Sequence, residues 1–172
     1  MLSKIKKFDE YILSLFAKIQ TPLLNKIMVF LSVMGNGGTV WLLISIPLLI
    51  NYSSRIRGIK LIISLALAGF LGEIIIKRLV CRIRPSEDLE PEELLIKRPK
   101  TYSFPSGHTA SSVAAALTIS CCFPYLTVPA FLLASLIAVS RLYLQVHYPS
   151  DVLAGATLGV ICSLLVNTFC NI

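Results

Sequence analysis

Residues 101–140 read TYSFPSGHTASSVAAALTISCCFPYLTVPAFLLASLIAVS and contain no Asp, Glu, Lys or Arg. A membrane-spanning helix needs about 20 mostly apolar residues, so this stretch has room for two. Pro124 and Pro129 mark the turn between them, because proline disfavours helix at the residue before it. The stretch therefore predicts one span over 107–123 and another over 125–143.

The rest of the chain has the same apolar character. Its 172 residues are 55% apolar and 15% charged, with a mean hydropathy of +0.78, whereas soluble proteins carry about 25% charged residues. The formal net charge is +7, from 16 Lys and Arg against 9 Asp and Glu. In so hydrophobic a chain this excess is typical of loop charges that set membrane topology. We expect a bilayer as the partner, and no nucleic acid.

Three more apolar runs predict spans over 38–54, 59–80 and 152–171. The predicted fold is all-α: a polytopic membrane helix bundle of five transmembrane helices, with amphipathic helices at the N-terminus. We treat residues 1–172 as one domain, with an interfacial region over 1–36 and a transmembrane bundle over 37–172.

The N-terminal region leaves the number of spans open between five and six. Apolar positions recur at helical spacing in residues 1–20, as expected for a helix on the membrane surface. A second short helix over 23–34 ends at the sequence GNGG, 35–38. A sixth span within 8–34 would have to bury four charged residues, Asp9, Glu10, Lys18 and Lys26.

Loop charges predict the orientation of the bundle. The loop NYSSRIRGIK, 51–60, carries Arg55, Arg57 and Lys60 with no acid, so it should be cytoplasmic. Residues 81–106 and 144–151 would then lie outside the cell membrane. With five spans the lysine-rich N-terminus also falls outside, against the same charge rule.

Three polar clusters collect on this predicted outer face. The first is KRLVCRIRP, 77–85, where Lys77 and Arg84 are two helical turns apart and can point to one side. Glu73, one turn earlier, is placed to pair with Lys77. Lys77 alone could be a topology charge, but ionisable residues within a span more often mark function.

The second cluster is PSGH, 105–108, where a turn enters a helix. The exposed backbone N–H groups and the positive end of the helix dipole favour a bound anion there. Ser106 could also be a simple N-cap, and His108 a satisfied polar residue.

The third cluster is SRLYLQVHYPSD, 140–151. His147 and Asp151 are four residues apart, so the carboxylate can hold one imidazole nitrogen and leave the other as a base or nucleophile. Asp151 could instead act as a helix N-cap, or do both. Arg141 adds a third cation.

Together these clusters indicate phosphoryl chemistry. Arg and Lys bind phosphoryl oxygens, and their charge stabilises the transition state. One histidine could attack phosphorus while the other protonates the leaving oxygen. Because the sequence offers no carboxylate cluster suited to Mg²⁺ near them, we expect hydrolysis without a metal or other cofactor.

The three clusters resemble the three-part motif of the type 2 phosphatidic acid phosphatases, a superfamily that also contains the vanadium haloperoxidases. The matching segments, in the family's order, are Lys77-x6-Arg84-Pro85, Pro105-Ser106-Gly107-His108 and Ser140-Arg141-x5-His147-x3-Asp151. They cover about 75 residues, and the flanking apolar runs agree in character.

The resemblance implies a role for each motif residue. His147 would be the nucleophile that forms a phosphohistidine, Asp151 would orient it, and His108 would be the general acid. The phosphate would be bound by Lys77, Arg84, Ser106, the Gly107 amide and Arg141.

The substrate is open at this stage. Undecaprenyl diphosphate fits an outward site best, and phosphatidic acid, phosphatidylglycerol phosphate and a lipid A phosphate are alternatives. The loop 86–100 is either a solvated connection or a lid that selects headgroups. An anion transporter, a structural membrane protein or a haloperoxidase would explain fewer of these features. The oligomeric state is open.

Overall fold

The computed structural model describes residues 2–169, which are helical throughout the core and contain no strand. The α-helices are α1 (Leu2–Lys18), α2 (Pro22–Gly35), α3 (Thr39–Ile50), α4 (Arg55–Gly69), α5 (Lys77–Val80), α6 (Gly107–Cys122), α7 (Thr127–Tyr143) and α8 (Pro149–Phe169). A π-helical stretch, Phe70–Ile76, joins α4 to α5 without a break. The all-α fold class predicted from the sequence is confirmed.

Four helical segments of the described chain are long and apolar enough to cross a membrane: Pro22–Ile50, Tyr52–Val80, Pro124–Tyr143 and Pro149–Phe169. The central helix, α6, has 16 residues and packs against α4, α7 and α8. The predicted bounds of the later helices hold to within a few residues. The end of the last predicted span, 170–171, lies outside the described residues.

The first predicted span, 38–54, differs from the structure. Helix α3 ends at Ile50, because Asn51 leaves the helical conformation and its side chain accepts a hydrogen bond from the Ser53 amide (3.0 Å). Its 12 residues are too few to cross a bilayer alone. The membrane crossing needs α2 as well, and the two helices meet at a kink where Gly37 and Gly38 take positive φ values.

Small residues bring α8 against α6. Gly155 and Gly159 are one helical turn apart on α8, and a Cβ at either would come within 2.5 Å of a backbone carbonyl oxygen of α6. The facing side of α6 is also small, since Ala110 and Ala114 are fully buried there. This is the small-residue packing that lets membrane helices approach closely.

Hydrogen bonds between side chains link the helices inside the apolar bundle. The Thr118 hydroxyl on α6 lies 2.9 Å from both the Ser64 hydroxyl of α4 and the Ser163 hydroxyl of α8. The fully buried Trp41 of α3 donates its indole N–H to Ser112 of α6 (3.0 Å). These bonds fix the rotation of each helix, which apolar contacts alone do not.

Helix α1 is amphipathic, but its polar side is not simply solvated. It packs against α7 and α8, with Asp9 fully buried and Leu13 nearly so. Its exposed apolar side chains include Phe8 and Leu15, which form the surface available to lipid. Asp9 therefore points into the protein.

Candidate active site

The three predicted clusters meet at one end of the bundle. A cavity of about 720 Å³ is lined by six of the eight predicted site residues: Lys77, Arg84, Gly107, His108, Arg141 and His147. The other two, Ser106 and Asp151, are fully buried directly behind it. The Ser106 amide donates to the Asp151 carbonyl (3.0 Å), which joins the start of α6 to the start of α8.

Lys77 enters the cavity from α5, just after the π-helical stretch. Its ammonium donates to the Glu73 carboxylate (2.6 Å) and to the Thr101 hydroxyl (3.3 Å). The predicted pairing with Glu73 is thus present. The Lys77 side chain is 4% exposed, whereas Glu73 is 42% exposed and reaches the cavity. A nearly buried cation with one partner favours an additional anion nearby.

Arg84 is held by hydrogen bonds to two loop segments that are distant from it in sequence. Its guanidinium donates to the Thr101 and Tyr102 carbonyls, to the Thr101 hydroxyl and to the Val146 carbonyl, at 2.6–3.0 Å. One terminal nitrogen also lies 3.1 Å from Nε2 of His147. Arg84 therefore fixes the loop that carries His147. It also lines the cavity, where the motif predicts that it binds phosphate.

Arg141 closes the cavity from the end of α7. One terminal nitrogen contacts the Ser32 hydroxyl of α2, and the side chain is 3% exposed. Its Nε is buried and has no hydrogen-bond partner among the described residues. A buried guanidinium with a free donor is suited to bind an anion such as a phosphate.

The start of α6 contributes its backbone and His108. Gly107 is the first residue of the helix, so its amide has no partner within the helix. His108 Nε2 lies 2.9 Å from the Asn36 side-chain oxygen, in the kink between α2 and α3. GNGG at 35–38, which the sequence identified only as a helix break, thus supplies a partner for His108.

His147 lies in the short loop between α7 and α8 and is 1% exposed. Its Nδ1 lies 3.6 Å from the Asp151 carboxylate, beyond hydrogen-bond distance, and has no hydrogen-bond partner among the described residues. Nε2 lies on the Arg84 side. Burial, reinforced by the charges of Arg84, Arg141 and Lys77, holds the pKa of His147 well below its ordinary value of 6.5. A neutral imidazole is the form that a nucleophile requires, and Nε2 can attack once it leaves its contact with Arg84.

The described residues contain no group of three His, Cys, Asp or Glu side chains placed to hold a metal ion. The charges around the cavity come instead from Lys77, Arg84 and Arg141. This arrangement can neutralise a phosphoryl group and present an imidazole to it.

Comparisons with known proteins agree with this geometry. The sequence profile of the PAP2 superfamily matches residues 57–171, which is most of the chain. The chain belongs to the PAP2 superfamily. The resemblance to type 2 phosphatidic acid phosphatases is thereby confirmed, and the protein is a membrane lipid phosphatase of that superfamily.

Individual PAP2 relatives cover most of the chain. An undecaprenyl-diphosphatase from Sulfolobus acidocaldarius is 38% identical over 147 residues, covering 85% of this chain and 70% of that protein. The crystal structure of Aquifex aeolicus LpxE superposes with a TM-score of 0.81 at 29% identity, covering 94% of this chain and 96% of that one. A transmembrane phosphatidylglycerolphosphate phosphatase from Bacillus subtilis shares the fold, with a TM-score of 0.79 at 24% identity over 96% of this chain and 86% of that one.

Several residues around the site were missed by the sequence analysis. They are Asp9, Ser32, Asn36, Arg82 and Thr101. None is a motif position; Arg82 lies between the motif residues Lys77 and Arg84, and the others belong to segments outside the three clusters. The GNGG break was the one visible signal, because it places polar and flexible residues next to an apolar helix.

Proposed function

We propose that this protein releases phosphate from a lipid diphosphate, with undecaprenyl diphosphate as the preferred substrate, through a phosphohistidine at His147. The observation that carries the proposal is the placement of the buried His147 beside Asp151 and Arg84, in a cavity that Arg141 also lines. The similarity to an undecaprenyl-diphosphatase over 85% of the chain favours the substrate.

In the proposed reaction, Lys77, Arg84 and Arg141 bind the phosphoryl oxygens together with Ser106 and the Gly107 amide. Nε2 of His147 attacks phosphorus, and the bond from phosphorus to the leaving oxygen breaks. His108 donates a proton to that oxygen. Water then attacks the phosphohistidine, gives a proton to His108 and releases phosphate and neutral His147. Asp151 stabilises the positive charge that the His147 ring carries between the two steps.

No metal enters this reaction, because the cations supply the charge that a metal would otherwise supply. The negative charge of the phosphoryl group is met by two guanidinium groups and one ammonium around the cavity. The lining of the cavity also includes apolar side chains, Val33, Leu65 and Ile96, which suit the start of a lipid chain.

The substrate is tested by phosphate release from a panel of lipids: undecaprenyl diphosphate, phosphatidic acid, phosphatidylglycerol phosphate and a lipid A phosphate. We expect the highest kcat/KM on undecaprenyl diphosphate, and no release by His147→Ala on any of them. Faster release from another lipid would replace the substrate assignment. Activity retained by His147→Ala would refute the phosphohistidine.

We further propose that the site faces the outside of the cell membrane, on the basis of the loop charges at 51–60. In a variant with all five cysteines replaced, Glu92→Cys should react with an impermeant thiol reagent in intact cells, while Ser53→Cys should not. Glu92 is exposed on the site side and Ser53 is exposed at the opposite end of α4. The reverse labelling would place the site in the cytoplasm.

A further inference from the structure

Arg82 lies between two buried carboxylates, one of which belongs to the candidate active site. One terminal nitrogen donates to Oδ1 of Asp151 (2.6 Å), and the other donates to Oδ2 of Asp9 (2.8 Å). Both aspartate side chains are 0% exposed, whereas Arg82 is 26% exposed. Asp9 is on α1, outside the segment that matches the family.

The contacts of Asp9 hold α1 and Arg82 in a fixed relation. Asp9 accepts hydrogen bonds from the Ser150 amide (3.0 Å) and the Ser150 hydroxyl (2.5 Å). The Ser150 hydroxyl in turn accepts one from Arg82 (2.7 Å), and the Tyr148 ring lies 4.1 Å from the guanidinium carbon. A planar guanidinium with these partners on its edge and face has little freedom to turn.

This fixed guanidinium determines which oxygen of Asp151 faces the nucleophile. Arg82 occupies Oδ1, while Oδ2 accepts the Tyr148 amide (2.9 Å) and lies 3.6 Å from Nδ1 of His147. If Arg82 turned away, only the Tyr148 amide would hold the carboxylate in this orientation. The geometry at His147 therefore depends on Arg82, whose own hydrogen bonds go to Ser150, Asp151 and Asp9.

The net charge of Asp9, Arg82 and Asp151 matters as much as their geometry. Arg82 alone would neutralise Asp151, and Asp9 restores one net negative charge to the group. Burial by itself would lower the pKa of Arg82, but its hydrogen bonds and charge interactions with Asp9 and Asp151 raise it above its ordinary value, so it stays charged. The His147 ring becomes positive when it takes up the phosphoryl group, and a net negative charge nearby stabilises that state.

We propose that Asp9 and Arg82 are positioning residues for phosphoryl transfer, acting on His147 through Asp151, so that α1 is part of the catalytic apparatus. The proposal rests on the role of His147 proposed above. It assigns a function to a helix that the family match does not include.

The test compares Asp9→Asn with Glu10→Gln, a matched variant of the neighbouring exposed carboxylate on the same helix. Asp9→Asn should lower kcat on nitrophenyl phosphate by about 10-fold, the scale of outer-shell partners of a functional histidine. KM and the inhibition constant of vanadate should change less than about 2-fold, since the phosphate-binding cations are untouched. Glu10→Gln should behave as the unmodified protein.

A double-mutant cycle separates positioning from a general structural effect. If Asp9 acts through Asp151, then Asp9→Asn should cause no further loss in an Asp151→Asn background. The same 10-fold loss in that background would overturn the proposal, as would a kcat for Asp9→Asn equal to that of Glu10→Gln. A rise in the vanadate constant equal to the fall in kcat would also overturn it, because it would indicate general damage to the site.

If Asp9→Asn does not fold, Arg82→Lys takes its place in the same cycle, because it keeps the charge but cannot bridge two carboxylates. Binding of vanadate reports that the site is formed. Failure of the proposed function gives a different result: His147→Ala would then remain active, whatever Asp9 does.

Discussion

Replacing Gly155 by alanine should push the start of α6 away from the start of α8, and the structure gives the size of this movement. The added Cβ would lie 2.5 Å from the Ser106 carbonyl oxygen and 3.2 Å from Cβ of Thr109. The carbonyl is fixed by the Ala110 amide (2.9 Å), so it cannot turn aside. Ordinary van der Waals contact begins at 3.4 Å, so the start of α6 must move away from α8 by about 0.9 Å.

This movement should reduce activity more than stability. His108 belongs to α6, whereas His147 and Asp151 lie at or just before the start of α8, so the proposed acid moves relative to the proposed nucleophile. A misplacement of about 1 Å can cost about 10²-fold in rate, or roughly 2.7 kcal/mol in activation free energy. The gain in helix propensity from Gly to Ala, about 1 kcal/mol, offsets part of the strain in the folded state.

The assay is turnover of nitrophenyl phosphate by the purified protein in detergent, with thermal unfolding measured on the same samples. The matched control is Gly69→Ala, which adds the same methyl group to a helix lining the same cavity, with no atom within 4 Å. We expect kcat to fall about 30- to 100-fold for Gly155→Ala and less than 2-fold for the control. A Gly155→Ala protein that kept half of its kcat would refute the reasoning.

Three other predictions concern the chemistry and the bundle. Because the pKa of His147 is held well below 6.5, kcat/KM should fall with decreasing pH only at values below pH 6.5. A fall centred at pH 6.5 would contradict a neutral, buried nucleophile. His108→Ala should lose about 10²–10⁴-fold on a lipid phosphate, less on nitrophenyl phosphate, which needs no protonation; equal losses would argue against its role as an acid. Ser112→Ala should lower the free energy of unfolding by about 1 kcal/mol, by removing the acceptor of the Trp41 indole, and unchanged stability would show that this bond is dispensable.

The sequence predicted the membrane helices well where local signals were strong. The span predicted over 107–123 is α6, Gly107–Cys122, because a Ser-Gly start and Pro124 limit it on both sides. The run over 38–54 was less well predicted, since no charged residue occurs before Arg55 and Asn51 already ends the helix. Hydropathy measures the environment of a segment and does not locate the turn inside it.

The motif residues of the candidate site could be predicted from the sequence, but the residues that hold them in place could not. Three cations and two histidines could be assigned to one face from spacing and topology. The contacts of Asp9 with Arg82 join residues 73 positions apart and depend on how α1 docks. In sequence Asp9 resembles its neighbour Glu10, which is exposed. Only the packed structure distinguishes the two carboxylates.

The order of the site residues along the chain has a consequence for biosynthesis. Lys77, Arg84 and His108 precede α8 in the chain, whereas His147 and Asp151 lie at or just before its start, so the site residues are complete only once the start of α8 has been made. Until then Arg82 lacks Asp151, one of its two carboxylate partners. We therefore expect ribosome-arrested chains that stop before residue 145 to insert into the membrane without hydrolysing lipid, because they lack His147 and Asp151.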